Sequence, residues 1–445
     1  MQKFIITLLL IAVSASSIAA EKILPYPIHQ TKLDNGLGVI TVPFDSPGIV
    51  AFYIVVRVGS RDEVEVGKTG FAHFFEHMMF RGTEKYPKDK YGSVLKSTGA
   101  SANANTSDDR TLYHMTGDAS KLETMFELES DRFQFLKYSE ADFKTEAGAV
   151  KGEYTKNSAS PYAQLDEKIS ETAFTKHTYG HTTMGYFKDI VDMPNQYAYS
   201  IEFFNRFYRP EYCTIIVVGD ATPERVLQLS KQYFGNWKPG NFQSSITPEP
   251  PQNGTRYVHL QKAKFPPYIS LNYKGPSFSV DVMDMPALDV LSTIYFGETS
   301  TIYNKLVLEE QKVRDIGAGA YDTRDPGLYF ISASLVNADD MQYVKDEIVA
   351  TLNSAAQNPA EKSAVERAVM TLRNNYAMGI DNPSAIAESI SHYVWLTGEA
   401  EAVNKNYENY NKITPEEIQA VAKKYFTDNN LTIATISGAE KLTIK

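Results

Sequence analysis

Apolar residues change their spacing along the first part of the chain, and each spacing predicts an element. Over 32–57 the apolar runs VITV and IVAFYIVVRV are interrupted by turn residues at 34–36 and 47–48, which predicts strands joined by turns. Over 70–80 the sequence GFAHFFEHMMF is apolar at most positions and has no proline, which predicts a buried helix. Helical spacing returns at 119–135 and 139–158. The first half is therefore predicted to be α+β.

The second half of the chain repeats the pattern of the first. The first half ends with a strand-like YCTIIVVGD at 212–220 and the helical ATPERVLQLSKQYF, and the Pro-, Gly- and Ser-rich segment 239–254 predicts a linker. Beyond it, β-rich YVHL and YISLNYKG are followed by helical stretches and a last strand. RFYRPEYCTIIVVGD at 206–220 aligns without gaps with KYFTDNNLTIATISG at 424–438. We predict homologous domains at 21–238 and 255–445, with two unrelated α+β domains as the alternative.

Composition narrows the class of protein. The chain has 445 residues, of which 43% are hydrophobic and 22% charged, as expected of a globular protein with two or more cores. Its net charge is −10 and it has no Lys/Arg cluster, which argues against nucleic-acid binding. Cys213 is the only cysteine and lies in an apolar strand-like run, so we predict a buried thiol and no internal disulfide.

The start of the chain, over 1–20, predicts a secretory signal peptide. Lys3 precedes an apolar run at 4–13 and a small-residue end, so cleavage is expected after Ala19 or Ala20, with an uncleaved anchor as the alternative. No later run approaches the ~18 apolar residues that a membrane span needs. We therefore predict a periplasmic protein without a stable membrane span.

Two histidines and a glutamate form an H-x-x-E-H string: His73, Glu76 and His77. On a helix, residues four apart project from one face, so the two imidazoles can share a metal ion. Glu76 lies beside them, where a carboxylate can take a proton from metal-activated water. With 8 His and 54 acidic residues, chance produces such a string on the order of once per hundred such chains. The string predicts zinc bound by His73 and His77, with Glu76 as the general base.

A catalytic zinc usually has three protein ligands, so a third is expected downstream. The helical stretch FKTEAGAVKGEY at 143–154 offers Glu146 and Glu153, seven residues apart and on one face. The residues alone leave open whether either is a ligand or a solvated carboxylate.

Four motifs resemble the pitrilysin/insulinase family of inverzincin zinc metallopeptidases, in its bacterial, processing-peptidase-like branch. They are GSRDE at 59–63, GFAHFFEHMMFRGTEKYP at 70–87, NANTSDDRTLYH at 103–114 and HTYGHTTMGY at 177–186. In that family a glutamate ligand follows the motif at a characteristic distance along the chain, and another glutamate precedes that ligand by seven. These positions are Glu153 and Glu146 here. The resemblance implies two homologous α/β-sandwich halves and Glu153 as the third zinc ligand. It also implies that Glu146 is an acid of the catalytic site, which orients a ligand or tunes the site.

The resemblance also implies an Arg/Tyr pair, seven residues apart in the second half, that contacts substrate. Aligned on KLV at 305–307, the two positions hold Leu308 and Asp315, which cannot do that work. Arg314 and Tyr321 are also seven apart, so a shifted alignment restores the pair.

These observations predict a zinc metalloendopeptidase that cleaves peptides or short unfolded polypeptides in a closed chamber. A homologous subunit would supply the Arg/Tyr pair in a heterodimer. The alternatives are a homodimeric peptidase dedicated to one substrate and a non-catalytic scaffold subunit. Asn103, by resemblance, lies where an edge strand holds the substrate backbone. The other histidines considered are expected to be structural: His114, His177, His181, His259 and His392.

Overall fold

A computed structural model describes residues 22–441 and residue 444, which form two sheets with helices around them. The predicted signal peptide at 1–20 lies outside the described residues. Among the helices of the described part, none is both long enough and apolar enough to cross a bilayer.

The first half contains a six-stranded sheet in the order β1-β2-β6-β3-β5-β4, in which β2 and β6 are parallel and all other neighbours antiparallel. The central strands β3 and β6 are apolar along their length because both faces of the sheet are covered. Polar β4 forms an edge. The strands are β1 (His29–Lys32), β2 (Gly38–Pro43), β3 (Ile49–Val56), β4 (Ser101–Thr106), β5 (Thr111–Asp118) and β6 (Cys213–Gly219).

The helices of the first half pack mainly on one face of this sheet, around the phenylalanines of the first helix. The side chain of Cys213 is buried in the same core, which confirms the prediction, and burial raises the pKa of its thiol. The helices are α1 (Phe71–Met78), α2 (Lys88–Ser97), α3 (Leu122–Phe135), α4 (Glu140–Asn157), α5 (Pro161–Ala173), α6 (Phe187–Asp192), α7 (Tyr197–Phe207) and α8 (Pro223–Phe234).

The second half contains a five-stranded sheet in the order β7-β11-β8-β10-β9, with β7 and β11 parallel. Its strands are β7 (Arg256–Gln261), β8 (Tyr268–Lys274), β9 (Val313–Ala320), β10 (Leu328–Leu335) and β11 (Leu431–Ser437). Its helices are α9 (Asp284–Phe296), α10 (Thr301–Tyr303), which continues as a π-helical turn at Asn304–Glu309, α11 (Met341–Gln357), α12 (Lys362–Gly379), α13 (Pro383–Thr397), α14 (Ala402–Tyr410) and α15 (Pro415–Tyr425).

The two halves repeat one topology, which confirms the predicted α+β fold of two homologous halves with mainly antiparallel sheets. The order β2-β6-β3-β5-β4 in the first sheet matches β7-β11-β8-β10-β9 in the second. The alignment of 206–220 with 424–438 holds at the element level, because its register maps α7 (Tyr197–Phe207) onto α15 (Pro415–Tyr425) and β6 onto β11.

One helix of each half packs on the sheet of the other half. Helix α13 covers the second face of the first sheet, where Ile390 and Val394 belong to one apolar cluster with Tyr53 and Ile216. Helix α5 packs in turn on β7 and β11 of the second sheet. The sheets share their cores through this exchange, which ties the two halves together.

The segment predicted as a linker contains neither helix nor strand, but it is anchored to both halves. The Glu249 carboxylate accepts the backbone N–H groups of Thr175, Lys176 and His177 at 2.8–3.1 Å. The Gln252 amide donates to the carbonyl of Leu431 at 2.7 Å. These hydrogen bonds hold the segment against both halves.

Candidate metal centre and active site

Helix α1 carries the H-x-x-E-H string and is fixed by its apolar face. Phe71, Phe74, Phe75 and Met78 are fully buried in the core of the first half. With that face committed to the core, the remaining face presents His73, Glu76 and His77 towards α4 and β4.

Helix α4 carries the two predicted glutamates and begins at a capping box, in which Ser139 and Asp142 satisfy each other's backbone N–H groups. Phe143, Ala147 and Val150 pack against the same core as α1. Glu146 and Glu153 lie two helical turns apart on the side that faces α1.

His73, His77 and Glu153 come together, as the sequence predicted. The Glu153 Oε2 atom lies 3.3 Å from His77 Nε2 and 3.7 Å from His73 Nε2. One ligand atom from each residue lies within 4.8 Å of the others. Among the described residues this is the single group of three or more His, Cys, Asp or Glu side chains with such spacing.

The donor set fits zinc. Zinc is bound by imidazole nitrogen and carboxylate oxygen at about 2.0–2.2 Å, so two ligands of a tetrahedral site lie roughly 3.3 Å apart. The distances of 3.3 and 3.7 Å to Glu153 are close to that value. Three protein ligands also leave a fourth position open, as catalytic zinc sites do.

The electrostatic setting of His73 favours the metal-binding form. Burial lowers the pKa of His73, although the negative charge of Glu76 acts in the opposite direction. The lowered pKa keeps the imidazole neutral near pH 7, and a neutral imidazole has a free lone pair for a metal.

Glu76 points towards β4, the edge strand of the first sheet. The hydroxyl of Thr106, the last residue of β4, donates to Glu76 Oε2 at 2.7 Å. Asn103 lies near the middle of the same strand and is exposed. The general-base candidate is therefore held next to a strand whose outer backbone groups have no neighbour in the sheet.

Glu146 lies behind the ligand cluster. Its Oε1 atom is 3.0 Å from His77 Nδ1, and its Oε2 atom forms an ion pair with Arg81. The side chain of Glu146 is only 5% exposed, so these two contacts are what balance the charge of a buried carboxylate.

Sequence reasoning assigned no role to several residues that hold α1. The buried Glu63 carboxylate accepts the backbone N–H groups of Gly70 and Ala72 at 2.8 and 2.7 Å, at the N-terminus of α1. Burial raises the pKa of Glu63 to about 8, and these N–H donors oppose the shift. Gly185 packs so closely on the backbone of Thr69 and Gly70 that a Cβ there would lie 2.7 Å from the Gly70 nitrogen.

Three of the four family motifs thus meet at the start of α1. Only the resemblance could have marked Glu63, Thr106 and Arg81, because a lone carboxylate, hydroxyl or guanidinium has no spacing signal of its own.

The histidines that were expected to be structural have contacts of that kind. His177 Nε2 lies 3.0 Å from Asp325, and His392 Nε2 lies 2.8 Å from Asp322. The others contact Tyr53 (His114), the carbonyl of Thr182 (His181), and Thr435 and Ala439 (His259).

The Arg/Tyr candidates lie in and around β9, the edge strand of the second sheet. Leu308 and Tyr321 are 57% and 72% exposed, and Arg314 and Asp315 are also exposed. Within residues 22–441 no hydrogen bond or ion pair joins Arg314 or Tyr321 to the metal-site residues.

Comparisons with known proteins agree with this architecture. The family description "Insulinase (Peptidase family M16)" matches residues 45–186, and "Peptidase M16 inactive domain" matches residues 197–372. The zinc protease PqqE of Helicobacter pylori is 26% identical over 442 residues, which cover 96% of each chain. The β subunit of the mitochondrial-processing peptidase of Bos taurus is 22% identical over 441 residues, covering 95% of this chain and 87% of that one.

Solved structures share the fold. The crystal structure of a protease from Helicobacter pylori matches with a TM-score of 0.85 and 24% identity, covering 93% of this chain and 99% of the other. The periplasmic protease PqqL from Escherichia coli matches with a TM-score of 0.76 and 18% identity, covering 93% of this chain and 48% of the other.

Two repeated α+β halves, with a His–His–Glu cluster in the first, define a two-lobed protein of the metallopeptidase class. The chain belongs to the pitrilysin/insulinase family, peptidase family M16. The resemblance inferred from the motifs is confirmed.

Proposed function

We propose that this chain is a zinc metalloendopeptidase that hydrolyses peptides or short unfolded polypeptides. The observation that carries the proposal is the convergence of His73, His77 and Glu153, with Glu76 beside them at the edge of β4. Relatives with the printed name zinc protease support the same activity.

In this proposal each residue has one task. His73, His77 and Glu153 hold zinc, which when bound polarises a scissile carbonyl and acidifies water. Glu76 accepts a proton from the attacking water on a carboxylate oxygen and passes it to the leaving amine. The Thr106 hydroxyl keeps that carboxylate oriented.

The substrate is proposed to add to β4 as an extended strand. Its backbone would pair with the outer edge of β4 near Asn103, which places the scissile bond next to Glu76. Strand addition recognises backbone, so it suits unfolded peptides of varied sequence.

The complete enzyme is proposed to be a heterodimer with a homologous subunit, which closes the chamber and supplies an Arg/Tyr pair. The aligned positions hold the exposed Leu308 and Asp315 and not an Arg and a Tyr, which supports this reading. The printed name of a relative as the β subunit of a processing peptidase supports it as well. A homodimer is the alternative. We also propose a periplasmic location, in line with the predicted signal peptide.

The test compares the purified chain with Glu76→Gln on a mixed peptide library, alone and with a homologous subunit that lacks H-x-x-E-H. We expect about one zinc per chain in both forms, and a loss of kcat/KM of roughly 10²–10⁴-fold in Glu76→Gln. Glu123→Gln, which alters a glutamate paired with Arg225 on the surface, is the control. Equal rates for wild type and Glu76→Gln would contradict the mechanism, and a metal-free chain would favour the scaffold. Full activity of the lone chain as a dimer would favour the homodimer.

A further inference from the structure

We propose that Arg81 is a positioning residue of the metal centre, which acts through Glu146 to hold His77 in the orientation and tautomer that zinc requires. The proposal rests on the proposed zinc site. The contacts run in one line, from the Arg81 guanidinium to Glu146 Oε2, and from Glu146 Oε1 to His77 Nδ1. His77 Nε2, at the end of that line, faces Glu153.

The first step is the tautomer of His77. A carboxylate oxygen only accepts hydrogen bonds, so the nitrogen that faces Glu146 Oε1 carries the proton. The proton on Nδ1 leaves the lone pair on Nε2, and Nε2 is the atom in the ligand cluster. An acceptor behind a histidine ligand fixes both ring orientation and tautomer in metal sites.

The second step is that Glu146 needs a partner of its own. Its side chain is 5% exposed, and His77 occupies only one of its oxygens. Arg81 supplies the balancing charge, because its guanidinium forms an ion pair with the other oxygen. Without Arg81, the carboxylate would be free to turn away from His77 in search of another donor.

The third step is the fixed backbone of Arg81. Its N–H donates to the carbonyl of Met78 at 2.9 Å, which extends the last turn of α1 and puts Arg81 on the same side as His77. Gly82 follows with φ +93°, and a Cβ there would lie 2.4 Å from the carbonyl oxygen of Tyr86. The turn is closed by Thr83, whose hydroxyl donates to the buried Asp131. The backbone of Arg81 is thus held by contacts that do not involve His73, His77 or Glu153.

The other histidine of the cluster, His73, has no such partner for its second ring nitrogen in the part of the chain that the structure describes. Its Nδ1 atom is buried and has no hydrogen-bond partner among the described residues. Its other nitrogen, Nε2, lies 3.7 Å from Glu153, so the group that orients a histidine of this cluster from behind is the Arg81–Glu146 pair at His77.

The experiment measures zinc affinity by competition with a chelator for wild type, Arg81→Gln, Arg81→Lys and Arg206→Gln. Arg206 is the matched control because it is 26% exposed against 25% for Arg81, and it pairs with Glu65 at 2.8 Å. We expect Arg81→Gln to weaken zinc binding by about 10–100-fold. Arg81→Lys should regain part of the loss, and Arg206→Gln should match wild type. Wild-type affinity in Arg81→Gln, or an equal loss in Arg206→Gln, would overturn the proposal.

A second measurement does not need the metal. In zinc-free protein labelled with ¹⁵N-histidine, His77 should carry its proton on Nδ1 in wild type and show both tautomers in Arg81→Gln and in Glu146→Gln. The double variant should bind zinc no more weakly than Glu146→Gln, because both changes break one line of contacts. Additive losses would overturn the proposal. If wild type binds zinc without cleaving peptides, the proposed function fails, while the affinity comparison still decides the role of Arg81.

Discussion

The two halves of the molecule have one topology but different chemistry at the same helix pair. In the first half α4 packs on α1, and in the second α12 packs on α9. Helices α4 and α12 both have 18 residues, and the seventh residue is Glu146 in one and Ala368 in the other. The fourteenth is Glu153 in one and Asn375 in the other. The two helix pairs occupy equivalent places in the fold, and side chains at a few positions make one of them a candidate metal site and the other part of an apolar core.

A second pair of equivalent positions lies at the ends of the central strands β3 and β8. Val56 pairs with Cys213, the first residue of β6, and Tyr273 pairs with Leu431, the first residue of β11. The next residues are therefore equivalent: Arg57 in the first half and Lys274 in the second. Burial lowers the pKa of both, to about 10 for Arg57 and about 7 for Lys274. Burying a cation lowers stability unless its donors find acceptors.

The largest expected effect concerns the metal itself. His77→Ala should lower zinc affinity more than about 100-fold, because it removes a ligand and not only the group behind one. His392→Ala, which removes a histidine of the second half that contacts Asp322, is the control and should leave zinc affinity unchanged. Zinc content after dialysis against a chelator measures both. Zinc retained by His77→Ala would mean that His77 does not bind the metal, which would contradict the proposed difference in chemistry between the two halves.

The next effect tests the helix pair of the second half. Ala368→Glu should lower the free energy of unfolding by about 2 kcal/mol, because it buries a carboxylate in an apolar cluster without the partners that Glu146 has. Met370→Glu, at a position that is 57% exposed on the same helix, should change it by less than about 0.5 kcal/mol. Urea unfolding of the two variants gives the difference. Equal stabilities would show that this helix pair tolerates charge.

The smallest expected effect distinguishes the two buried cations, Arg57 and Lys274, by what their replacement does to stability. Arg57 donates to the carbonyls of Trp395 and Leu396 at 3.0 and 3.3 Å, whereas Lys274 Nζ lies 3.2 Å from the ring centre of Phe174 and has no hydrogen-bond partner in the described residues. Arg57→Met should therefore destabilise the protein by about 1–2 kcal/mol. Lys274→Met should stabilise it by about 1 kcal/mol at pH 7.

The stability of the protein should depend on pH through Lys274. An unfolded lysine keeps its proton up to pH 10.5, while the folded one releases it near pH 7. Between these values the unfolded state binds more protons, so wild-type stability should rise with pH, and Lys274→Met should reduce that rise. Thermal unfolding from pH 7 to 10 measures it. Parallel curves for both proteins would contradict the assigned pKa.

The chain pattern predicted most of the fold. The alternation and saturation of apolar residues marked β3, α1, α3, α4, β6 and α8, because the core imposes those periods on the sequence. The alignment of 206–220 with 424–438 marked the repeat. The exchange of α5 and α13 between the halves was not predictable, since an apolar face does not specify which sheet it covers. The segment predicted as a linker at 239–254 has no helix or strand, but its anchoring was not predictable, because Pro and Gly report the absence of regular structure and not the contacts of Glu249.

The residues of the candidate site were likewise only partly predictable from local sequence. The spacing of His73, Glu76 and His77 on one helix defined the candidate motif locally, because four residues make about one turn. Glu153 needed the family spacing, since α4 is distant in sequence, and the structure brings it within 3.3 Å of His77 Nε2.

What the sequence determined by itself is the set of groups that depend on local periodicity: the helical motif, the strands and the repeat. Only the tertiary structure decided which side chains hold the residues of the motif in place. Glu63 at the start of α1, Thr106 at Glu76 and Arg81 behind Glu146 come from separate segments. The Thr106–Glu76 and Arg81–Glu146 contacts arise from packing of elements remote along the chain, and the Glu63 contact arises because the preceding loop folds back on α1. Such contacts leave no period in the sequence.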